Sequence, residues 1–264
     1  MTSTSSISSA NPILPNDVIG NVIFPNLSLP ALAICTRVCK AWNKMATEHL
    51  KAFSYDNAFG PKEWYIYFGS HLKNVPRLPS NIGGILSSSC PFWTDKKVFE
   101  THVLVLIPAT VNGQPLTLKT LGELVQHPRS GGKPTKYEYF NLGEYVDQPA
   151  QSHWALLTRT VIEGSRNKPY KDQQAIVSSY SRKTKMAYEI PTVLDAAVCN
   201  FMEYVRSGTW LYSQSPLTFT WCQEKYNASW NLFVGGGGEA GLRVDIYDDD
   251  ADEDCGAGGL RKSF

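Results

Sequence analysis

The side chains best suited to covalent chemistry are Cys90 and Cys222 as nucleophiles, His102 and His153 as bases, and Glu100 or Asp147 to orient the base. A hydrolase built from them needs a thiolate generated by an adjacent imidazole, whose other nitrogen is held by an acid or amide. None of the six sits in a recognisable local signature. Lone Cys and His residues beside apolar runs read first as packing or surface positions. The cysteines, at 35, 39, 90, 199, 222 and 255, form no CxxC pair and no zinc-ligand spacing. They read as reduced thiols of a cytosolic protein, Cys35 and Cys39 lying one helical turn apart in an apolar stripe.

Two further segments invite a ligand and then argue against it. Residues 235–238 are four consecutive glycines after an apolar strand. A phosphate-binding loop needs a following Lys-Ser or Lys-Thr pair and a helix. Here Glu239, Ala240 and Gly241 lead to another strand, so the run reads as a flexible turn. The carboxylates Asp248, Asp249, Asp250, Asp252, Glu253 and Asp254 alternate somewhat as in a calcium loop, yet Glu253 occupies the place of the required glycine. That segment reads as a solvated acidic loop. The expectation is therefore no catalytic residue, no cofactor and no metal.

The elements that would position these groups are mixed. Residues 102–107, His-Val-Leu-Val-Leu-Ile, read as a buried strand, and Asn112-Gly113 is a strong turn signal. Residues 121–125 suit a short helix, and 154–157 another buried strand. Residues 170–183 are polar but helical in composition. A clearer helix spans 191–206, with Leu194, Val198, Phe201 and Val205 on one face and Gly208 as its stop. Strand-like runs follow at 217–222, 231–234 and 242–247. No internal repeat is visible. The aromatics Trp64, Tyr65, Tyr67, Trp93, Trp154, Trp210, Trp221 and Trp230 are many for one domain; such residues serve cores and interfaces alike.

A chain of 264 residues divides naturally into one larger domain and a small appended one. The hydrophobic fraction of 42% supports a real core, and the net charge of +1 argues against a dedicated nucleic-acid or membrane-surface binder. No run approaches the length of a membrane span. The Ser/Thr-rich opening, residues 1–9, has neither a basic region nor an apolar core, so it is not a Sec-type signal peptide.

The most informative stretch is residues 14–45. Pro15 opens a helix, with Asp17 in its first turn, where a carboxylate suits the helix dipole. Val18, Ile19, Val22 and Ile23 give that helix an apolar stripe, and Pro25-Asn26 end it. Ser28 can cap a second helix with Pro30 in its first turn. A third carries Cys35, Val38, Cys39, Trp42 and Met45 at three- and four-residue steps. Three helices of no more than about a dozen residues each make a poor core alone. They need a partner surface, or else they pack on the rest of the chain.

This stretch resembles the F-box, through which substrate receptors bind the adaptor Skp1 of cullin-based ubiquitin ligases. Leu14-Pro15-Asn16-Asp17-Val18-Ile19 and Val38-Cys39-Lys40-Ala41-Trp42 match the motif's opening and close. The resemblance implies that Leu14, Pro15, Asp17, Val18, Phe24, Leu27, Leu32, Val38, Cys39 and Trp42 are core or Skp1-facing positions. Ala31 departs from the family, which usually has an acid before the second-helix leucine, and Gly20 loosens the first helix. The remainder resembles, end to end, the C-terminal halves of F-box-like effectors of chlamydia-like, amoeba-associated bacteria. Pro91-Phe92-Trp93, Glu100-Thr101-His102, Gln151-Ser152-His153-Trp154, Gly164-Ser165-Arg166-Asn167 and Cys222-Gln223-Glu224 carry that likeness.

The expected architecture is α+β. A disordered tail at 1–11 precedes a three-helix F-box-like module at 12–50 and a linker at 51–63. A mixed α+β domain with mainly antiparallel strands then fills 64–264. The resemblance implies a non-enzymatic adaptor, secreted by a bacterium into the host cytosol. It would bind Skp1 and through it a cullin ligase, and would hold an unknown target protein, with no nucleic acid or membrane partner. Two alternatives stay open: a host-directed enzyme such as a cysteine hydrolase with an F-box targeting module, and a non-productive decoy that occupies Skp1.

Overall fold

The computed structural model describes residues 58–140, 151–227, 229–248 and 250–264. The tail and helices expected at 1–50, with all the Skp1-facing positions from 14 to 42, lie outside the described residues, as does Asp147. The described region is mixed α+β with mainly antiparallel strand pairs. The segment read as a linker is already part of this body from residue 58 onward, because Ala58–Phe59 (β1) joins a sheet and Pro61–Phe68 (α1) follows at once.

Local chemistry explains α1. Pro61 opens the helix and the Glu63 carboxylate accepts the Gly60 N–H at 2.9 Å, relieving one of the first-turn donors. Gly69 closes it in the left-handed region, at φ 65°. The helix turns Trp64 inward, where the indole N–H donates to the Leu106 carbonyl at 2.8 Å and the ring meets Phe59 edge-on. Two short helices, Ile82–Ser87 (α2) and Val98–Thr101 (α3), lead to His102–Ile107 (β2), buried at every position. The Thr110–Val111 and Gln114–Pro115 strands (β3, β4) form a hairpin around Asn112-Gly113, both at positive φ as a two-residue turn requires. Leu118–Leu124 (α4) follows, where Thr117 and Thr120 exchange side-chain and backbone hydrogen bonds across the first turn.

The remaining elements are Tyr137–Phe140 (β5), His153–Thr158 (β6), Tyr170–Thr184 (α5), Tyr188–Glu189 (β7) and Val193–Ser207 (α6). After them come Phe219–Lys225 (β8), Trp230–Gly238 (β9), Gly241–Asp248 (β10), Cys255–Gly256 (β11) and Leu260–Arg261 (β12). One five-stranded sheet runs β1-β2-β6-β12-β7 and a second β11-β8-β9-β10-β5. Among the described strand pairs, the flanking pairs β1–β2, β8–β11 and β5–β10 are parallel and the others antiparallel.

Helix α6 packs against β2 and β6 of the first sheet and against β8, β9 and β10 of the second. A helix held between two sheets must be apolar or small nearly all round. That is where the single-face reading of 191–206 falls short. Val193, Ala196, Ala197, Val198, Cys199, Phe201, Met202 and Val205 are all buried, whereas Leu194 is only half-buried. Ala196, Ala197 and Cys199 are small, so strands can approach the helix axis from both sides.

The glycine run differs from its reading as a flexible turn. Residues 235–238 are the last part of β9, paired with β8 and β10. A Cβ at Gly235 would overlap the Thr218 carbonyl and the Phe219 backbone, and one at Gly237 would overlap the Trp210 ring. The glycines are there because other atoms lie directly on the strand. A second apolar cluster joins Phe219, Trp221 and Phe233 to Tyr170 and Val177 of α5.

Candidate functional site

The cysteine and histidine candidates do not converge on a hydrolase centre. Cys222 lies in β8 facing the core under α6, fully buried, and that burial pushes its thiol well above the ordinary range. Its S–H points at the Thr220 carbonyl, 3.9 Å away. Cys90 is buried in the second cluster. His102 opens β2, between the Thr101 hydroxyl at 2.9 Å and the Tyr188 hydroxyl at 3.2 Å. Burial drops its pKa to about 3, which leaves a ring too weakly basic to work near neutral pH. Glu100 does not orient His102. Its carboxylate accepts the Lys97 N–H at the start of α3.

His153 is different, because it belongs to a charge array assembled at the N-terminal end of α6. Its Nε2 lies 2.8 Å from Asp195 Oδ1 and its Nδ1 2.6 Å from the Gln151 carbonyl. Both neighbours are acceptors, and the ring's tautomer decides which of them it donates to. Asp195 Oδ2 meets the Lys262 ammonium at 2.7 Å, and Lys262 also reaches Glu189 at 3.5 Å. The Asp195 side chain is only 3% exposed, against 24% for His153 and 29% for Lys262. Burial drives the Asp195 carboxyl up, but the His153 hydrogen bond and the Lys262 charge more than offset it, and the group stays below the usual carboxylate value. Nearby, Glu224 accepts the Val193 N–H at 2.9 Å while Thr192 accepts that of Asp195, so two side chains satisfy first-turn donors of α6. Burial raises the Glu224 carboxyl. The array joins β6, α6, β7 and the residue after β12. Its acid, Asp195, and its cation, Lys262, were invisible as site residues in the sequence, since only the fold brings the three strands and the helix together.

The acidic segment serves the backbone. Asp252 Oδ1 accepts the N–H groups of Asp254 and Cys255, and Arg166 donates to the Glu253 carbonyl at 2.8 Å. Among the described residues no group of three or more His, Cys, Asp or Glu side chains is placed to hold a metal ion. None of the helices among the described residues is long and apolar enough to cross a membrane.

A concave surface that no motif announced lies between the C-terminal end of α1, the β3–β4 hairpin and α4. It encloses about 360 Å³ and opens to solvent. Phe68, Val111, Leu116 and Leu124 make its floor, and Asn112, Gln114, Thr120, His127 and Arg129 line it with polar atoms. Hydrogen bonds stitch its walls together. Asn112 donates its side-chain amide to the Phe68 carbonyl at 3.3 Å, and Arg129 donates its backbone N–H to the Tyr67 carbonyl at 2.7 Å. The Asn112-Gly113 turn was legible as a turn, but its docking on the end of α1 was not.

Comparison with protein-family models, with curated proteins and with solved structures yields no match to this chain.

Proposed function

We propose that this chain is a substrate receptor that binds Skp1 through an F-box-like module at residues 12–50 and holds a target protein on its α+β body. The observation that carries the reading is the ordered set Leu14, Pro15, Asp17, Val18, Phe24, Leu27, Leu32, Val38, Cys39 and Trp42. The short helices that this sequence implies would have apolar faces that need a partner. The body fits the receptor half of the proposal, since it offers a solvent-open groove with a floor fixed by the surrounding hydrogen bonds. A pre-organised surface loses little conformational freedom when a target binds.

In this reading the chain performs no bond chemistry. Its effect is proximity, because a target held beside the ubiquitin-charged subunits of a cullin ligase reaches a high effective concentration. The host cytosol is the compartment where Skp1 and a cullin would be met. Burial of the Cys222 thiol, which keeps it protonated, counts against that residue as the nucleophile of the cysteine-hydrolase alternative.

Co-elution of the purified protein with eukaryotic Skp1 tests the docking half, with the Leu14→Ala/Pro15→Ala double variant as control. Capture by the wild type and none by the variant supports the proposal. A decoy would bind Skp1 yet support no cullin-dependent ubiquitination of any bound protein, so a reconstituted ligase assay separates the two.

A further inference from the structure

We propose that the groove between α1, the β3–β4 hairpin and α4 is the target-docking site, and that it takes an extended peptide whose internal Asp or Glu lies beside a branched or aromatic apolar residue. The proposal rests on the receptor reading for its biological sense, but the groove's chemistry is argued independently of it.

The first argument is charge. Arg129 lines the groove, and among the described residues its guanidinium makes no ion pair and no hydrogen bond. Arg129 is an exposed side chain on a fixed stretch of backbone. The backbone N–H of Arg129 is tied to Tyr67, its carbonyl accepts the Gly132 N–H at 2.9 Å, and the guanidinium lies over Gly69. Gly69 ends α1 in the left-handed region, and its missing side chain leaves the guanidinium room to lie there. An exposed, unpaired guanidinium is a fork for a carboxylate. Glu123, on the α4 side, carries the opposite sign and makes no ion pair with Arg129. It disfavours a second acid there and sets the direction in which a peptide lies.

The second argument is the floor. Leu124, half-buried, is the accessible apolar side chain of the lining, and it lies over the buried Phe68, Val111 and Leu116. The third argument chooses an internal acid over a free C-terminus. Carboxyl-terminal capture uses clusters of unpaired backbone N–H groups. Those of Asn112, Leu116, His127 and Arg129 are already committed, to Ser70, Ala109, Leu124 and Tyr67. The strong donor left for a carboxylate is the Arg129 side chain.

The test pans a phage-displayed library of random peptides, each about a dozen residues long, against the full chain. The best sequence is then synthesised with an amidated C-terminus for fluorescence-polarisation binding. The expected result is enrichment of Asp or Glu next to Leu, Ile, Met or Phe. Arg129→Ala, or amidation of the peptide's acid side chain, should weaken binding by roughly tenfold or more. Gln114→Trp, an exposed hairpin substitution that fills the groove, should abolish binding, and Lys183→Ala on the distant face of α5 should leave it unchanged. No enrichment, or enriched peptides indifferent to Arg129→Ala and Gln114→Trp, overturns the proposal. Binding that requires a free peptide C-terminus also overturns it. Skp1 co-elution is read in parallel. If it succeeds while no acidic peptide is selected, the groove assignment fails alone. If it fails while selection depends on Arg129, the receptor reading fails and the groove stands.

Discussion

Replacing Asp195 with Asn keeps the shape of the side chain and removes the one negative charge between His153 and Lys262. Loss of one member of a buried ion pair costs about 3–5 kcal/mol when the remaining charge stays buried. Here His153 and Lys262 are 24% and 29% exposed, so both can turn partly toward water. Exposure of that degree reduces the cost to roughly 2 kcal/mol. For a body of this size that is a fall in Tm of roughly 4–8 °C. The pH dependence has a definite sign. The folded carboxyl lies below its ordinary value, so Asp195 contributes stability that is fully present above the unfolded pKa of about 3.9 and is lost as pH falls through the folded value. The gap between wild type and Asp195→Asn should therefore shrink as pH falls below about 4. Buried His102 destabilises both proteins as pH falls below about 6.5, its unfolded value, and cancels in the difference. Urea unfolding followed by tryptophan fluorescence measures the gap at each pH. A gap under about 0.5 kcal/mol at pH 7 would refute the reasoning, because that is the scatter of an ordinary surface substitution.

Two other substitution and reactivity results follow from the fold. Gly235→Ala should destabilise the protein by at least about 2 kcal/mol in thermal unfolding, since its methyl group meets the Thr218 carbonyl and the Phe219 backbone, neither of which can rotate away. A loss near zero would mean that β8 and β9 are not packed as described. Cys222 should react with a thiol reagent in the native protein only as fast as the body opens, because burial keeps its sulfur protonated and covered. Mass mapping of the Cys222 peptide reads this directly, and rapid native-state labelling at pH 7 contradicts it.

The elements most legible in the sequence were those whose signal is local. β2 announced itself as six residues with an unbroken apolar run after His102, and the Asn112-Gly113 pair fixed the β3–β4 turn through its backbone preference. The stop of α6 at Gly208 was readable for the same reason, since glycine there adopts the left-handed cap. Residues 235–238 misled because four glycines carry no strand propensity of their own. Their extended form is imposed by pairing with β8 and β10, and by Trp210 and Phe219 lying across them. The charge array was half-visible. His153 was a candidate base, but nothing local marks Asp195 or Lys262, and only the approach of the residue after β12 to α6 joins them. The groove's Arg129 carried no motif at all. Its guanidinium lies beside a glycine sixty residues earlier in the chain, a contact that no local pattern encodes.

Co-elution of the full chain with eukaryotic Skp1 is the decisive measurement for docking through residues 12–50. A stable complex is expected with the wild type, none with the Leu14→Ala/Pro15→Ala variant, and the same cooperative unfolding of the α+β body in both proteins. A wild-type chain that fails to co-elute, or a double variant that still does, would contradict the assignment of residues 12–50 as the docking module.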